Sequence, residues 1–333
     1  MYEIETVTQC ARNTRLSLPS ARTSTFTTCI RNPISAMRSD EGTSAKATAP
    51  PLKDEIKPAQ SLAEQCERIH KRVYELLGRE PETDRIREVQ RQTRISLGVI
   101  GEALERYSLD ALSFSYNGGK DCLVLLILYL AALHTHATGQ PHEPLDNGLS
   151  NGSQQQTNGS RPSPKSRAFA LQPSLRSVYI VTPNTFPSVT SFVDHSVQKY
   201  HLSLARYSLP MRAAFTAYLA DAPSVKAIFV GTRRNDPHGA ALTYFDRTDH
   251  GWPDFMRIHP VIDWHYREIW TFIRELDVEY CELYDRGYTS LGGIDDTHPN
   301  PKLRREGSEG ETYRPAYELQ EDGEERAGRD FGR

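Results

Sequence analysis

The 333-residue sequence predicts an α/β fold with a doubly wound, mostly parallel sheet, preceded by N-terminal helices and followed by a C-terminal extension. Strand-like and helix-like segments alternate between residues 109 and 231, as in parallel sheets with crossover helices. Residues 109–133 read as an apolar strand, a glycine turn and a helix that is apolar on nearly all sides. Polar turns follow predicted strands, where such sheets bind ligands.

Residues 1–57 are predicted to be a peripheral tail. Five arginines and no acidic residue lie between residues 6 and 39: Arg12, Arg15, Arg22, Arg31 and Arg38. This composition is typical of a transit peptide. An ordinary disordered tail has the same composition, so both interpretations stay open. The single folded domain is expected to span residues 58–333.

Two amphipathic helices are predicted before the first strand. In the first, apolar residues recur at helical spacing, namely Leu62, Cys66, Ile69, Val73 and Leu76. The second covers residues 85–107, and Pro81 separates the two. We expect these helices to cover the first strand and one edge of the sheet.

The turn Asn117-Gly118-Gly119-Lys120-Asp121 joins the first strand to the apolar helix. Backbone N–H groups at a helix start have no intrahelical partner, and the helix dipole is positive there. Glycine has no Cβ to block the approach of a ligand. These features together predict a phosphate-binding loop, with a plain tight turn as the alternative.

Residues 141–176 are predicted to form a low-complexity loop inserted in the domain. The run LSNGSQQQTNGSRPSP is too polar to bury apolar surface. Deleting residues 147–164 should therefore leave activity and melting temperature largely unchanged in the purified protein. Loss of folding in that variant would contradict the interpretation.

Further strands are predicted at residues 177–181, 202–209 and 226–231, with a short helix at 211–219. The carboxyl ends of parallel strands lie at one edge of a sheet. We therefore expect the glycine turn and the segment after Val230 to share that edge.

The segment GTRRNDPH follows the last of these strands. It offers Arg233 and Arg234 as planar donors to phosphate or carboxylate, with a solvated loop as the alternative. Residues 245–253 alternate aromatic and polar side chains and lead into a helix that Asp263 is expected to cap. The buried face of that helix carries Ile269, Trp270, Ile273 and Leu276.

Two further features lie near the C-terminus. Residues 284–293, YDRGYTSLGG, form another glycine-containing turn that could line a pocket for a flat ring. Arg326 and Arg329 lie three residues apart and would share one face of a helix. A loose terminal tail is the alternative for this pair.

Composition excludes several classes of protein. A formal net charge of −3 argues against a dedicated nucleic-acid binder. The five cysteines form no C-x-x-C pair, so neither a zinc site nor a disulfide framework is indicated, and a reducing compartment is expected. No apolar run is long enough to indicate a membrane span. We expect a cytoplasmic monomer without a nucleic-acid or membrane partner, and the N-terminal composition leaves mitochondria open.

Six motifs occur in order: YNGGKDC, GTRRNDP, WPDFMR, PVIDWHYREIW, YDRGYTSLGG and ERAGR. Together they resemble the eukaryotic FAD synthases, the FMN adenylyltransferases of fungal type, over residues 58–333 without 141–176. This resemblance implies the phosphoadenylyl-sulfate-reductase-like, adenine-nucleotide α-hydrolase fold. Asn117 stands where the wider group usually has serine, as in the FAD synthase branch, and Asn235 stands where threonine is common.

The resemblance implies transfer of the adenylyl group of ATP to FMN, giving FAD and pyrophosphate. The FMN phosphate would attack the α-phosphorus in line with the departing pyrophosphate. Because that phosphate is already an anion near neutral pH, no Ser–His or Cys–His pair is needed. The site must instead hold repelling oxyanions together and neutralise their charge.

The implied catalytic residues are Asn117, Asp121, Asp236, Arg326 and Arg329. The amide of Asn117 would donate to the reacting phosphate. Asp121 would hold the cofactor Mg²⁺ beside the phosphates, with stabilisation of the helix start as its alternative role. The predicted ATP-binding residues are Ser115, Tyr116, Gly118, Gly119, Lys120, Val181 and Asn184. The predicted FMN-binding residues are Gly231, Arg233, Arg234, Asp236, Asp249, Trp252 and Tyr288.

Four other functions are less consistent with the sequence than this one. A sulfonucleotide reductase of the same fold needs a nucleophilic cysteine near its C-terminus, and no cysteine follows Cys281. A sulfurtransferase acting on tRNA needs cysteines or a basic face. A non-enzymatic nucleotide sensor needs fewer charged groups than this chain retains. The Walker spacing of P-loop kinases is absent.

Overall fold

The structure, a computed structural model, describes residues 61–139, 172–305 and 311–330. The predicted tail 1–57 and residues 141–171 of the predicted insertion lie outside these ranges. Within them the α-helices are α1 (Leu62–Gly78), α2 (Asp84–Arg106), α3 (Lys120–Thr138), α4 (Pro187–Lys199), α5 (Met211–Asp221) and α6 (Tyr266–Glu275). The strands are β1 (Leu112–Ser115), β2 (Leu175–Ile180), β3 (Leu202–Tyr207), β4 (Ala227–Phe229), β5 (Phe245–Arg247) and β6 (Met256–Ile258).

The strands form one six-stranded sheet in the order β3-β2-β1-β4-β6-β5. All neighbouring pairs are parallel except β5–β6, which is antiparallel. The predicted doubly wound, mostly parallel sheet is therefore confirmed. Strand order reverses between β1 and β4, because the chain runs outward from β1 to β3 and then returns to β4. Ligands of such sheets bind at the carboxyl ends of the strands at this switch point.

Helix α3 forms the centre of the core. It spans 19 residues and, by length and composition, could cross a membrane, but 72% of its apolar window is buried inside the fold. Its Tyr129 ring packs against Phe114 of β1 and Phe229 of β4. An all-round apolar helix is expected when every face has a protein neighbour.

The first two helices form as predicted, with side-chain caps at both starts. The hydroxyl of Ser61 accepts from the Glu64 N–H, and that of Thr83 accepts from the Ile86 N–H. They pack mainly against α3, and α2 also contacts α6. Helix α3 packs on β1 through the Tyr129 and Phe114 rings, and Leu62 of α1 lines a small cavity together with Leu112 of β1. That the two helices cover the first strand and one edge of the sheet stays a prediction.

The cap of α6 also differs from the prediction. His265, not Asp263, is the N-cap, and the Glu268 carboxylate accepts from the His265 N–H at 2.8 Å. The Asp263 carboxylate instead accepts from Arg234 Nε at 2.6 Å and from the Tyr244 hydroxyl at 3.2 Å. Asp263 therefore holds the loop after β4 rather than the start of α6.

Four elements differ from those predicted from the sequence. Helix α4 was not predicted, and its buried face is sparse, with only Val189, Val193 and Ser196. The β5–β6 hairpin was not predicted because each strand has only three residues. Strand β2 begins at Leu175, two residues inside the predicted insertion.

Candidate active site

The site lies where the chain leaves β1 and β4 at the switch point of the sheet. Gly118 has a φ of +76°, and a Cβ there would lie 2.8 Å from the Val193 side chain. Gly231 lets the loop after β4 approach the start of α3, because a Cβ would lie 2.9 Å from the Cys122 backbone nitrogen. Gly231 thus lets the two loops approach each other, and for it the structure shows a packing role, whereas Gly118 lets the glycine turn approach α4.

The phosphate-binding loop is already partly hydrogen-bonded within the protein. Asn117 Oδ1 accepts from the Gly119 N–H at 3.0 Å and from the Cys122 thiol at 2.9 Å. The Lys120 N–H donates to the Tyr284 hydroxyl at 2.9 Å. The backbone N–H groups of Gly119 and Lys120, both predicted to bind phosphate, therefore have protein partners. These partners satisfy the first turn of a buried helix. A phosphate at this position would replace those partners.

Four charged side chains close an ionic ring beneath this loop; we call Lys120, Asp121, Arg233 and Glu325 the buried ring. Lys120 Nζ lies 3.0 Å from Asp121 Oδ2 and also contacts Glu325 Oε1. Arg233 Nε lies 2.8 Å from Asp121 Oδ1, and Arg233 Nη2 contacts Glu325 Oε2. Each carboxylate thus contacts both cations, and the four formal charges sum to zero.

The buried ring is almost closed to solvent. The side chains of Arg233, Lys120 and Glu325 are 1%, 2% and 8% exposed, and Asp121 is 21% exposed. Burial acts to lower the pKa of Arg233, but Asp121 and Glu325 outweigh it and raise that pKa. Burial acts to raise the pKa of Asp121, but Arg233 and Lys120 outweigh it and lower that pKa. Asp121 and Arg233 are therefore both charged at neutral pH.

The lowered pKa of Asp121 predicts a loss of stability at acid pH. A carboxyl whose pKa is lower when folded stabilises the protein fully above its unfolded pKa, about 3.9. That contribution is lost as the pH falls through the folded pKa. The difference in unfolding free energy between the wild type and Asp121→Asn should be constant above about pH 5 and shrink below about pH 4. Denaturant titrations across this range would measure it, and a difference that stays constant down to about pH 3 would contradict the prediction.

The C-terminal arginines diverge from one another instead of sharing a helical face. Arg326 Nη2 donates to Asp236 Oδ1 at 3.0 Å, so Arg326 does reach the loop after β4. Arg329 donates to the Leu291 carbonyl at 3.0 Å and to Asp296 at 3.3 Å. Residues 325–328 form a turn after the short 3-10 helix Asp322–Glu324, which separates the two guanidinium groups. The prediction of a shared helical face is therefore wrong.

Asp236 joins the two halves of the site. Its Oδ2 accepts from the Arg233 N–H at 2.8 Å, which closes the turn after β4, and its Oδ1 faces Arg326. The side chains of Asp236 and Arg326 are 17% and 33% exposed, so this pair forms the open edge of the buried ring. Among the predicted catalytic residues, Asn117, Asp121, Asp236 and Arg326 thus lie on the two loops of the switch point or contact them.

The predicted ATP-binding residues divide into two groups. Ser115 ends β1 and leads into the loop, whereas the buried Tyr116 side chain donates to Ser196 at 2.8 Å and belongs to the core. Val181 and Asn184 follow β2 on the same edge of the sheet. The Asn184 carbonyl accepts from the Ile294 N–H at 2.8 Å, so this segment packs on the turn at residues 291–294.

The predicted FMN-binding residues fall into two groups. Gly231, Arg233 and Asp236 lie in the loop after β4 and belong to the site described above. The other four have separate partners. Arg234 pairs with Asp263, Asp249 lies 3.5 Å from Arg257, Tyr288 packs edge-on against Phe186 at 5.5 Å, and Trp252 packs with the smaller apolar cluster on the α5 side. That Trp252 and Tyr288 flank one flat ring stays a prediction.

The surroundings of Asp121 bear on its predicted role as a magnesium ligand. Both of its carboxylate oxygens face cations of the buried ring, yet Oδ1 makes no hydrogen bond. Within the part of the chain that the structure describes, no group of three or more His, Cys, Asp or Glu side chains could hold a metal ion. Magnesium needs only one or two protein carboxylates when phosphate and water supply its other ligands. The role of Asp121 as a metal ligand therefore stays a prediction.

Comparison with known proteins identifies the family. The model of the "Phosphoadenosine phosphosulfate reductase domain" matches residues 210–299. A Schizosaccharomyces pombe protein named "Probable FAD synthase" is 37% identical over 266 residues, which cover 80% of this chain and 89% of that protein. This chain belongs to the FAD synthase family.

Two solved structures support membership of the FAD synthase family. The FMN adenylyltransferase of Candida glabrata, in complex with FMN and the ATP analogue AMPCPP, matches with a TM-score of 0.69 and 28% identity, over 82% of this chain and 98% of that one. Yeast FAD synthetase in complex with FAD matches with a TM-score of 0.69 and 29% identity, over 81% of this chain and 100% of that one. The resemblance seen in the sequence motifs is confirmed.

Three residues of the site in this FAD synthase family protein were not predicted from the sequence. Glu325 completes the buried ring, Tyr284 caps the start of α3, and Thr289 donates to the Glu325 carbonyl at 2.6 Å. Tyr284 and Thr289 lie in the YDRGYTSLGG motif, and Glu325 precedes Arg326 in the ERAGR motif. The sequence motifs contain these three residues, but the role of each residue could not be predicted from its type.

Proposed function

We propose that this chain transfers the adenylyl group of ATP to FMN and releases FAD and pyrophosphate. One observation carries the proposal for this member of the FAD synthase family. The glycine loop at the start of α3 and the charged loop after β4 meet at the switch point, with Arg326 at their open edge. This arrangement can hold several phosphate groups close together.

In the proposed mechanism the FMN phosphate attacks the α-phosphorus of ATP in line with the leaving pyrophosphate. No side chain removes a proton, since the attacking oxygen is already anionic. Asn117 accepts hydrogen bonds through Oδ1, so its Nδ2 is the group that can donate to the reacting phosphate. Arg326 adds a fixed positive charge from the opposite side of the site.

Charge balance explains why Arg326 matters in this proposal. Lys120 and Arg233 are neutralised by Asp121 and Glu325, so the buried ring contributes little net field. The remaining attraction for phosphates comes from the start of α3. Arg326 is also paired, with Asp236, but its guanidinium is partly exposed and can donate to a phosphate directly. Asp236 orients that guanidinium through its 3.0 Å contact.

Magnesium enters the proposal only with the substrate. A Mg²⁺ ion bound to ATP is coordinated mainly by phosphate oxygens and water, so it needs few protein ligands. Such an ion offsets phosphate charge. The protein groups act by holding the two phosphate chains in place, and adenine binding beside Val181 and Asn184 stays a prediction. A cytoplasmic monomer, with mitochondria as the alternative location, likewise stays a prediction.

The test is an assay of the purified full chain with FMN, ATP and Mg²⁺, in which FAD and pyrophosphate are both measured. We expect the two products to appear in equal amounts. A reductase would instead release sulfite from a sulfonucleotide in the presence of a thiol, and a nucleotide sensor would bind ATP without turnover. Either of those results without FAD formation would refute the proposal.

A further inference from the structure

The turn at residues 322–327 is fixed to the rest of the site by its backbone. Thr289 Oγ1 donates to the Glu325 carbonyl at 2.6 Å, and Asn300 Nδ2 donates to the Glu324 carbonyl at 2.8 Å. Asn300 Nδ2 also donates to Thr289 Oγ1 at 2.9 Å. Hydrogen bonds to the carbonyls of Glu324 and Glu325 therefore hold the backbone from which the Glu325 side chain enters the buried ring.

Glu325 is the group that connects the three segments of the site. One carboxylate oxygen contacts Lys120 at the start of α3, and the other contacts Arg233 in the loop after β4. The residue that follows Glu325 is Arg326, whose guanidinium lies against Asp236. Displacement of Glu325 would therefore release two cations and move Arg326 at the same time.

We infer that Glu325 is a positioning residue for adenylyl transfer, which fixes Lys120 and Arg233 beneath the phosphate loop and sets the place of Arg326 at its edge. This inference rests on the proposed function. Without the carboxylate, the two buried cations share Asp121, the only further counter-charge near them in the described residues being Asp236, 4.0 Å from Arg233 Nη2, and they repel each other. A displacement of about 1 Å in a group that orients a reacting phosphate can lower turnover on the order of 10²-fold.

An alternative role for Glu325 makes the opposite prediction. A carboxylate between two cations could act as a stand-in for a substrate phosphate and leave when ATP binds. Removing its charge would then make ATP bind more tightly and leave turnover intact. The positioning role predicts that turnover falls and that ATP affinity does not improve.

The test compares Glu325→Gln, Glu325→Asp and the matched control Glu324→Gln in the full chain. Glu324 undergoes the same change one residue away, but its carboxylate is 33% exposed and pairs with Lys302 at 2.9 Å. We expect Glu325→Gln to lower kcat on the order of 10²-fold while the KM for FMN changes less than about threefold. Glu325→Asp keeps the charge and should recover part of that loss. Glu324→Gln should match the wild type.

A second variant keeps the test decisive if Glu325→Gln does not fold. Thr289→Val keeps the shape of the side chain and all four ring charges, but it removes the hydrogen bond to the Glu325 carbonyl and the one accepted from Asn300 Nδ2, which also hold this turn. It should lower kcat by about tenfold, with a circular dichroism spectrum like that of the wild type.

Several results would overturn the inference. One is a kcat for Glu325→Gln within about threefold of the wild type, or a lower KM for ATP with turnover kept. Others are an Asp variant no more active than the Gln variant, or a Thr289→Val variant with full turnover. If the unaltered chain makes FAD and Glu325→Gln does too, only this inference fails. If the unaltered chain makes no FAD, the proposed function fails and this inference fails with it.

Discussion

Replacing Arg233 by methionine should lower the free energy of unfolding by about 3–5 kcal/mol and abolish FAD formation. Methionine fills much of the same space but carries no charge. Asp121 and Glu325 would then share Lys120 alone, and one buried carboxylate would lack a counter-charge. Urea denaturation followed by circular dichroism gives the change in unfolding free energy, and the FAD assay gives the activity.

The neighbouring residue provides a matched control for this stability change. Arg234→Met removes the same charge one position along, but the Arg234 side chain is 41% exposed and pairs with Asp263. Exposed ion pairs contribute roughly 0–1 kcal/mol, so the control should lose at most about that amount. Equal losses from the two variants would show that the buried ring does not stabilise the fold as we argue.

Local features of the chain could be predicted from the sequence. An apolar strand and a glycine turn lead into α3, which is apolar on all sides. Few arrangements bury such a helix, so its position against the sheet could be predicted. Gly118 was predicted in a turn, and its φ of +76° is a conformation that glycine adopts readily. The edge shared by the loops after β1 and β4 followed from parallel strands alone.

Long-range contacts could not be predicted in the same way. Glu325 lies 205 residues from Lys120 in the chain, and no periodicity links the two positions. Residue type alone gives a surface glutamate as the usual interpretation, since glutamate is almost never buried unless it is paired. The two cationic partners of Asp121 are likewise visible only in three dimensions.

The neighbours of the aromatic segments also depend on long-range packing. Trp252 and Tyr288 are predicted to flank one flat ring because aromatic side chains suit stacking. In the structure Trp252 packs with the smaller apolar cluster on the α5 side, and Tyr288 packs against the main core. Trp252 lies between β5 and β6, and such three-residue strands leave little trace in the sequence, so these neighbours could not be predicted.

Replacing Asn117 by alanine should lower kcat on the order of 10²–10³-fold while FMN still binds. The substitution removes the amide donor that we assign to the reacting phosphate. It also removes the oxygen that accepts from the Gly119 N–H and the Cys122 thiol, so the loop would lose part of its shape. Steady-state kinetics and FMN fluorescence titration measure the two effects separately.

Asn117→Asp distinguishes the donor from the loop-shaping acceptor. Aspartate keeps an oxygen for the Gly119 N–H and the Cys122 thiol, but it has no N–H₂ group and carries a negative charge near the phosphates. If Asn117 acts as the donor, this variant should be as inactive as Asn117→Ala, with a melting temperature closer to that of the wild type. Substantial turnover in Asn117→Asp would mean that the oxygen alone matters, and the catalytic role of the amide would then be wrong.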